Sequence, residues 1–490
     1  MKTEEARNIY RQGEDATIKF VMEVDAKCQK QATTIDELEK KISVLGKNSR
    51  TSSKRPSSDD ITSPKGKKKD SKNTPKGKKG GQKGHKRNSR PPFESDEIDE
   101  TILYLLEACP KCNSTDIIIV SDQDPKKIQQ VEIREVPIVV SEYVAYQYWC
   151  ENCQCFHYAE LPEHVVKSGL FGEKMTALVA YMKNVCHASF STIRKFFKDV
   201  LHVTVSRGYL CKLIRKVSMA LQDPYEELLN QLPFEDVVYA DETGHKNNGD
   251  RFWTWVFKAE LYVLFKIDKS RGSKVLIEVL GEDFDGVLSC DYFSAYKKYM
   301  KDFNVTIQFC IAHLIRNVKF LTTLKNKQTQ VYGKQLLDQI RDMFHIIHNR
   351  EDMTKDSFEL QLQSARQKVI DAAIHDAPSK LDKDGKETLT EVANMVKRFR
   401  KHGDSYFEFI TTPGVEPTNN LAEQAIRFIV IDRHITQGTR SENGQIASER
   451  LWTVIGTCAM QGKSAFDFIH SAVRAYFHQT SGPSLLHDTS

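Results

Sequence analysis

The chain changes its hydrophobic rhythm several times. Near the start, Ile35, Leu38, Ile42 and Leu45 recur at spacings of 3, 4 and 3, the seam of a zipper-like helix. Carried backwards, the register takes in Val21, Val24 and Cys28 but also Gln31, so residues 1–45 read equally as a coiled-coil-like dimerising helix or an ordinary amphipathic one. Residues 46–92 then lose almost all apolar character. In 93–165 the segments VEIREVPIVV and EYVAYQYW alternate at period two, as strands of a hairpin-like sheet do. Residues 166–232 return to helical spacing, and SFSTIRKFFKDVLHVTVSRGYLCKLIRKVSMAL reads as helix, turn and helix with Ser206 capping the second.

From 233 to 311 the texture is α/β: EDVVYAD, RFWTWVFKA and LYVLFKI as strands, SKVLIEVL as helix, GVLSCD as strand, YFSAYKKYM as helix and VTIQFC as strand. A first strand ending at Asp241, two hairpin-related strands and a fourth ending at Asp291 give the order of a ribonuclease H-like mixed sheet. In that order the ends of strands one and four lie side by side. Residues 312–410 carry helical spacing without a strand signal, a helical insertion. A core helix follows in 411–440, where Leu421, Ala422, Ala425, Ile426 and Ile429 form a stripe after Pro417, and 441–490 read as C-terminal helices. The expected fold is thus multidomain α/β.

Charge sharpens this picture. The 490 residues carry a formal +5, yet residues 46–90 hold 16 Lys/Arg against 3 Asp/Glu, so that stretch is +13 and the rest of the chain −8. A Ser-, Gly-, Pro- and Lys-rich segment of this kind cannot bury a core and is expected to be a disordered basic linker. It is either a solvated spacer or an arm for a polyanion, with Lys83, His85, Lys86 and Arg87 as the residues that would follow a DNA groove. Arg207 and Lys212 on the second helix of the helix-turn-helix-like segment would suit a major groove, although such helical pairs also serve as plain packing units. No apolar run reaches the roughly 20 residues that cross a bilayer, and the polar start lacks a signal-peptide core, so a soluble cytoplasmic protein is expected.

Eleven cysteines are too few for a disulfide scaffold of this length. Four form the pairs Cys109-x-x-Cys112 and Cys150-x-x-Cys153, a zinc-ribbon pattern in which two tight loops offer four thiolates to a tetrahedral structural Zn²⁺. The separation of the pairs exceeds the usual ribbon spacing. Cys155 or His157 could replace one ligand, and reduced thiols without metal are the alternative. Cys310-x-x-His313 could be half of another zinc site, but no matching pair follows it, so a buried Cys and a helix-capping or phosphate-facing His is the simpler reading.

The candidate chemistry rests on Asp241, Asp291 and Glu423. Three carboxylates can share hard cations such as Mg²⁺, or Mn²⁺, and two such ions stabilise the attacking and leaving oxygens of an in-line displacement at phosphorus. Each acid has a plainer use. Asp at a strand end opens turns or caps helices, and Asn420-x-x-Glu423 resembles a capping box. Arg427, one turn after Glu423, would either meet a DNA phosphate or pair with the Glu. Taken together, two strand-end aspartates in this strand order plus a late helical Glu favour a site.

At this point the sequence resembles the transposases of the insertion sequence 66 family, a branch of the bacterial DDE transposases. The likeness spans nearly the whole chain: LGKNSRTSSKRPSSDD, GGQKGHKR, the paired C-x-x-C module, DETGHK at Asp241, SRG, GVLSCDYFSAY at Asp291, C-I-A-H at 310–313 and PTNNLAEQAIR at Glu423. Lys83 stands where the family usually has proline. The resemblance implies Asp241, Asp291 and Glu423 as catalytic triad, a zinc-binding module that helps recognise transposon ends, and a C-x-x-H feature of uncertain role. It further implies double-stranded DNA as partner, both element ends and target, a homo-oligomer that holds two ends together, and helper proteins of the same element. A DNA-binding protein with a decayed core and a nuclease that cleaves without joining are the rival readings.

Overall fold

The computed structural model describes residues 11, 13–45, 92–103, 105, 107, 108, 110–115, 128–131, 137–379 and 388–486. The arm residues Lys83, His85, Lys86 and Arg87, Cys109, and the side chains of Cys28, Cys150 and the zipper positions 35, 38, 42 and 45 lie outside the described residues. The chain divides into two units, Met1–Ser63 with Val144–Ser490, and Pro64–Tyr143. In the second unit the Gln129 amide closes both backbone groups of Phe93, accepting from its N–H at 2.7 Å and donating to its C=O at 2.9 Å.

The larger unit begins with helix α1 (Glu14–Leu45) and a small antiparallel hairpin, β1 (Gln147–Cys150) and β2 (Cys155–Tyr158). The strand expected over 142–149 forms only from Gln147, and the described part of 131–140 has no regular element. Pairing with β2 limits it: Cys150 faces Cys155, and the second C-x-x-C supplies the turn between them, where Gln154 adopts φ of +50°. Helices α2 (Glu163–Ser168), α3 (Glu173–Asn184), α4 (Phe190–Val200), α5 (Arg207–Ala220) and α6 (Gln222–Gln231) follow. Ser206 caps α5 as its sequence position suggests, accepting the Tyr209 N–H at 3.1 Å.

The five-stranded sheet comprises β3 (Val237–Asn247), β4 (Asp250–Lys258), β5 (Val263–Asp268), β6 (Val287–Cys290) and β7 (Thr306–Phe309), in spatial order β5-β4-β3-β6-β7. The hairpin strands β3, β4 and β5 are antiparallel, while β6 lies parallel to β3 and β7 parallel to β6, connected through α7 (Lys274–Leu280) and α8 (Ser294–Phe303). The first strand does not end at Asp241. It runs on to Asn247 because an Asn248-Gly249 turn, both residues at positive φ, folds β4 back along its whole length.

Helices α9 (Ile311–Leu321), α10 (Lys327–His348), α11 (Lys355–Ile374), α12 (Thr390–His402) and α13 (Glu408–Thr411) form the insertion; α14 (Asn420–Thr436), α15 (Glu442–Met460) and α16 (Ala465–His478) complete the unit. Alternation along the strands separates two faces. Ala240, Trp255, Phe257 and Leu288 join a core with α7, α8 and the insertion, whereas Tyr239, Val256 and Phe265 pack against Ala422, Ile426, Ile429 and Trp452 of α14 and α15. Among the described residues no helix is long and apolar enough to cross a membrane.

The edge strand β5 is closed by side chains of α15. Glu449, Thr453 and Thr457 accept the N–H groups of Ile267, Phe265 and Val263 at 2.6, 3.0 and 3.2 Å. The geometry matches because four residues of helix advance about 6 Å and two of strand about 6.6 Å. An otherwise open row of donors is thereby satisfied. Burial lifts the Glu449 carboxyl from its ordinary 4.5 to about 7. The folded protein therefore retains a proton that the unfolded chain releases, and stability falls as pH rises through that window, by on the order of 3 kcal/mol in full. Glu449→Gln keeps an acceptor for Ile267 without a charge, so thermal unfolding should show the variant matching wild type at pH 5 and exceeding it at pH 8. An equal decline in both proteins would remove Glu449 as the cause.

Candidate active site

The site grows from the register of two strands. Val237, Val238 and Tyr239 of β3 pair with Val287, Leu288 and Ser289 of β6. Two residues further, Asp241 and Asp291 occupy matching positions at the point where β6 stops. Asp241 is buried at 7% exposure, and its Oδ1 accepts the Glu242 N–H at 2.9 Å. The Oδ1 of Asp291 accepts the Phe293 N–H at 2.9 Å, so this aspartate also opens the turn into α8.

Glu242 points to the opposite face of β3 and is fully buried. Its Oε1 accepts from Nη2 and Nε of Arg271 at 2.7 and 3.0 Å, and its Oε2 accepts from the Tyr296 hydroxyl at 2.7 Å. The guanidinium is held between the rings of Trp253 and Phe293, at 4.4 and 3.9 Å from their centroids. Both motifs, DETGHK and SRG, stand out in the sequence, but only the fold shows that one supplies the acid and the other its cation. Burial first, then the charges of Glu242, Asp291 and Asp241, pushes the Tyr296 hydroxyl well above its ordinary range. Cys290 beside them is raised in the same way, with burial again leading and Asp291 next.

Helix α14 reaches this place through its N-terminal approach. The N-cap is Asn419 rather than Asn420, and it makes no side-chain cap. Instead its Nδ2 donates to the Ala240 C=O at 2.7 Å and its backbone N–H to Cys310 Sγ at 3.2 Å. Cys310 is itself bonded to β6, its N–H donating to the Cys290 C=O at 2.8 Å. Glu423 therefore forms no capping box with position 420. Its Oε1 is buried, makes no hydrogen bond and lies 3.6 Å from both His313 Nδ1 and Arg316 Nη2. Arg316 Nη1 in turn stands 3.1 Å from His313 Nε2.

Cys310, His313 and Glu423 thus come together with ligand atoms within 4.8 Å of one another, and Asp241 and Asp291 are not members of that group. The C-x-x-H expected to be a capping or phosphate-facing pair, or half of a separate zinc site, meets the third acid instead. It does so because α9 starts immediately after β7, next to the strand-end aspartates. Arg427 is exposed; the cation beside Glu423 is Arg316, one turn after His313 on α9. Arg207 and Lys212 lie elsewhere, lining a cleft of about 410 Å³ with Lys183, Arg215 and Arg440. His245 of DETGHK takes no part either: burial lowers it to about 4, its Nε2 faces Thr439 Oγ1 at 3.0 Å, and it packs edge-on against Trp452. In the hairpin, Cys153 Sγ lies 3.3 Å from His157 Nε2, and Cys112 and Cys153 are exposed thiols.

The pair Arg271–Glu242 yields a prediction. Removing the cation leaves a fully buried carboxylate without its charge partner, which costs about 3 kcal/mol or more. Arg271→Ala should lower the unfolding midpoint sharply and Arg271→Lys less so, by calorimetry; an Ala variant as stable as wild type would contradict this account of the motif.

The model described as "Transposase IS66 family" matches residues 168–447, and one described as "Family of unknown function (DUF6444)" matches residues 2–91. Among curated relatives, the uncharacterized protein y4qI of Sinorhizobium fredii is 22% identical over 63% of this chain and 60% of its own length. The chain therefore spans less than two thirds of that relative. The uncharacterized protein y4hP of the same organism is 19% identical over 76% of this chain and 72% of its own. An uncharacterized 48.3 kDa protein of insertion element ISM1 from Methanobrevibacter smithii is 26% identical over 69% of this chain and 82% of its own. With more than half its length under the family model, and with the mixed sheet in place, this chain belongs to the IS66 transposase family.

Proposed function

We propose that the chain is a DDE-type transposase that cleaves DNA at the ends of an insertion sequence and joins the freed 3′-OH to target DNA, with Asp241, Asp291 and Glu423 as its catalytic acids on a ribonuclease H-like core. The observation that carries this reading is the parallel β3–β6 register, which sets two aspartates at matching positions of neighbouring strands. The buried Glu423 Oε1, without a hydrogen-bond donor, suits a cation ligand, and the family implies divalent-metal use. Mg²⁺ or Mn²⁺ held by the three acids would neutralise charge at the scissile phosphate and activate the attacking oxygen. The protein's own part is positioning. Backbone N–H groups fix one oxygen each of Asp241 and Asp291, and Arg316 and His313 hold Glu423 on the same side of the sheet. Direct exchange at phosphorus needs neither ATP nor a covalent protein intermediate.

Cys109, Cys112, Cys150 and Cys153 are assigned to a structural Zn²⁺ that supports recognition of the element ends, together with the arm residues 83–87 and the helix-turn-helix-like α4–α5. In support, the second C-x-x-C occupies the tight β1–β2 turn that a zinc loop needs. Helix α1 is assigned to self-association, since two DNA ends must be held at once, in the cytoplasm where the element's DNA and any helper proteins are found.

Purified protein, Mg²⁺ and DNA carrying the flanking terminal repeats should give cleaved and joined products on a gel. Asp241→Ala, Asp291→Ala and Glu423→Ala should each abolish both while end binding stays within a few-fold of wild type. A comparable loss of binding would count against a ligand role for the acids. Cleavage without joined product would indicate a nuclease, and binding without chemistry a DNA-binding protein. Separately, Cys109→Ser or Cys150→Ser should lose bound zinc by elemental analysis and weaken end binding; unchanged zinc content would refute the ribbon assignment.

A further inference from the structure

A cleft of about 980 Å³ is lined by Tyr292, the residue after Asp291, and by helices from different parts of the chain, α8 of the core and α12 of the insertion. Lys297 and Lys301 stand one turn apart on α8, and Lys397 and Lys401 one turn apart on α12, with Arg398 between. Against these five cations the lining offers two acids, Glu391 and Glu408. Among the described residues neither acid is ion-paired with them, although ion pairs are abundant elsewhere in the unit.

Arg398 shows the imbalance most clearly. Its guanidinium is stacked 3.9 Å above Tyr292 and 5.0 Å from Tyr406, and Nη1 donates to Asn317 Oδ1 at 3.0 Å. Its Nε and Nη2 are buried and have no acceptor. Burial lowers it to about 10, a large departure for an arginine. Lys297, whose Nζ lies 4.1 Å from the centroid of the Tyr292 ring, is lowered by burial and then by Arg398 and Lys401, while His402 is lowered by burial and then by Lys401, Lys297 and Arg398. Cations that repel one another around a cleft, with donors left unused, await an anion. The charge of Asp291 acts on both Arg398 and Lys297.

We infer that this cleft holds the phosphate backbone of the DNA strand that enters the acids at Asp291, so that the helical insertion is a substrate-positioning wall and Arg398 a phosphate-contacting residue. The inference rests on the DNA substrate of the proposed function. Cations one helical turn apart on each of two helices suit an extended polyanion better than one isolated phosphate, and Tyr292, directly after the aspartate, lines the same cleft.

The test uses the full chain and a fluorescent duplex bearing one element end. Affinity is measured across a NaCl series for wild type, for Lys301→Gln with Lys401→Gln, for Arg398→Lys, and for Lys334→Gln, an exposed control outside the cleft. The exposed pair should lose affinity on the order of tenfold to a hundredfold near 0.1 M salt, with the slope of log K against log salt reduced by about 2. Arg398→Lys keeps the charge but not the fork, and should lower cleavage more than affinity; the control should match wild type. Unchanged affinity and slope in the double variant, with wild type cleaving in the same buffer, would overturn the cleft while leaving the chemistry standing. Weakened binding in the double variant with no cleavage by wild type would support the cleft and overturn the catalytic reading instead.

Discussion

The parallel pairing of β3 with β6 is the constraint on which the site depends. Side chains alternate along a strand, so a slip of one residue would turn Asp241 away from α14 and bring Glu242 in its place. Both faces of the sheet are buried, which makes such a slip costly: Glu242 would leave Arg271 and Tyr296, and Tyr239 would leave the core it forms with Ile426 and Ile429. The buried ion pair thus acts as a register lock, fixing which of two neighbouring acids faces the helix that carries the third.

From that locked sheet the remaining parts are attached by short backbone bonds. Cys310 bonds to Cys290 through its N–H and receives the N–H of Asn419 at its sulfur, while Asn419 reaches Ala240. One residue therefore ties the start of α9, the start of α14 and the end of β6 together. The insertion leaves the sheet at β7 and returns at Pro417, whose C=O accepts the Ile311 N–H. Roughly a hundred inserted residues cost little in loop closure once their two ends are fastened at one spot. The same fastening brings α12 opposite α8 and builds the basic cleft beside Asp291.

The electrostatics follow from this closure. Acids gather at the strand ends of the core, cations on α8 and on α12 of the insertion, and the charge of Asp291 acts on Lys297 and Arg398 from both helices. Glu423 sits beside Arg316 and His313 of α9, on a helix whose Asn419 cap reaches Ala240 of β3. Its surroundings come from three segments remote in the chain.

Much of this was legible in the residues. The β-branched and aromatic runs between 235 and 310 announced the strands, and Ser206 announced the start of α5, because both signals act within a few residues of themselves. What periodicity could not give was partnership. The continuation of β3 beyond Asp241 depended on an Asn-Gly turn fixing β4, the Glu423 capping box lost to Asn419 reaching a strand, and Arg427 lost its expected partner to Arg316. Those outcomes are set by contacts between residues far apart in sequence, where the competing local option differs by only a few tenths to a few kcal/mol. The sequence by itself determined most of the local elements and the residue types they carry; the tertiary structure decided which charges meet, because only packing fixes the distances on which their interactions depend.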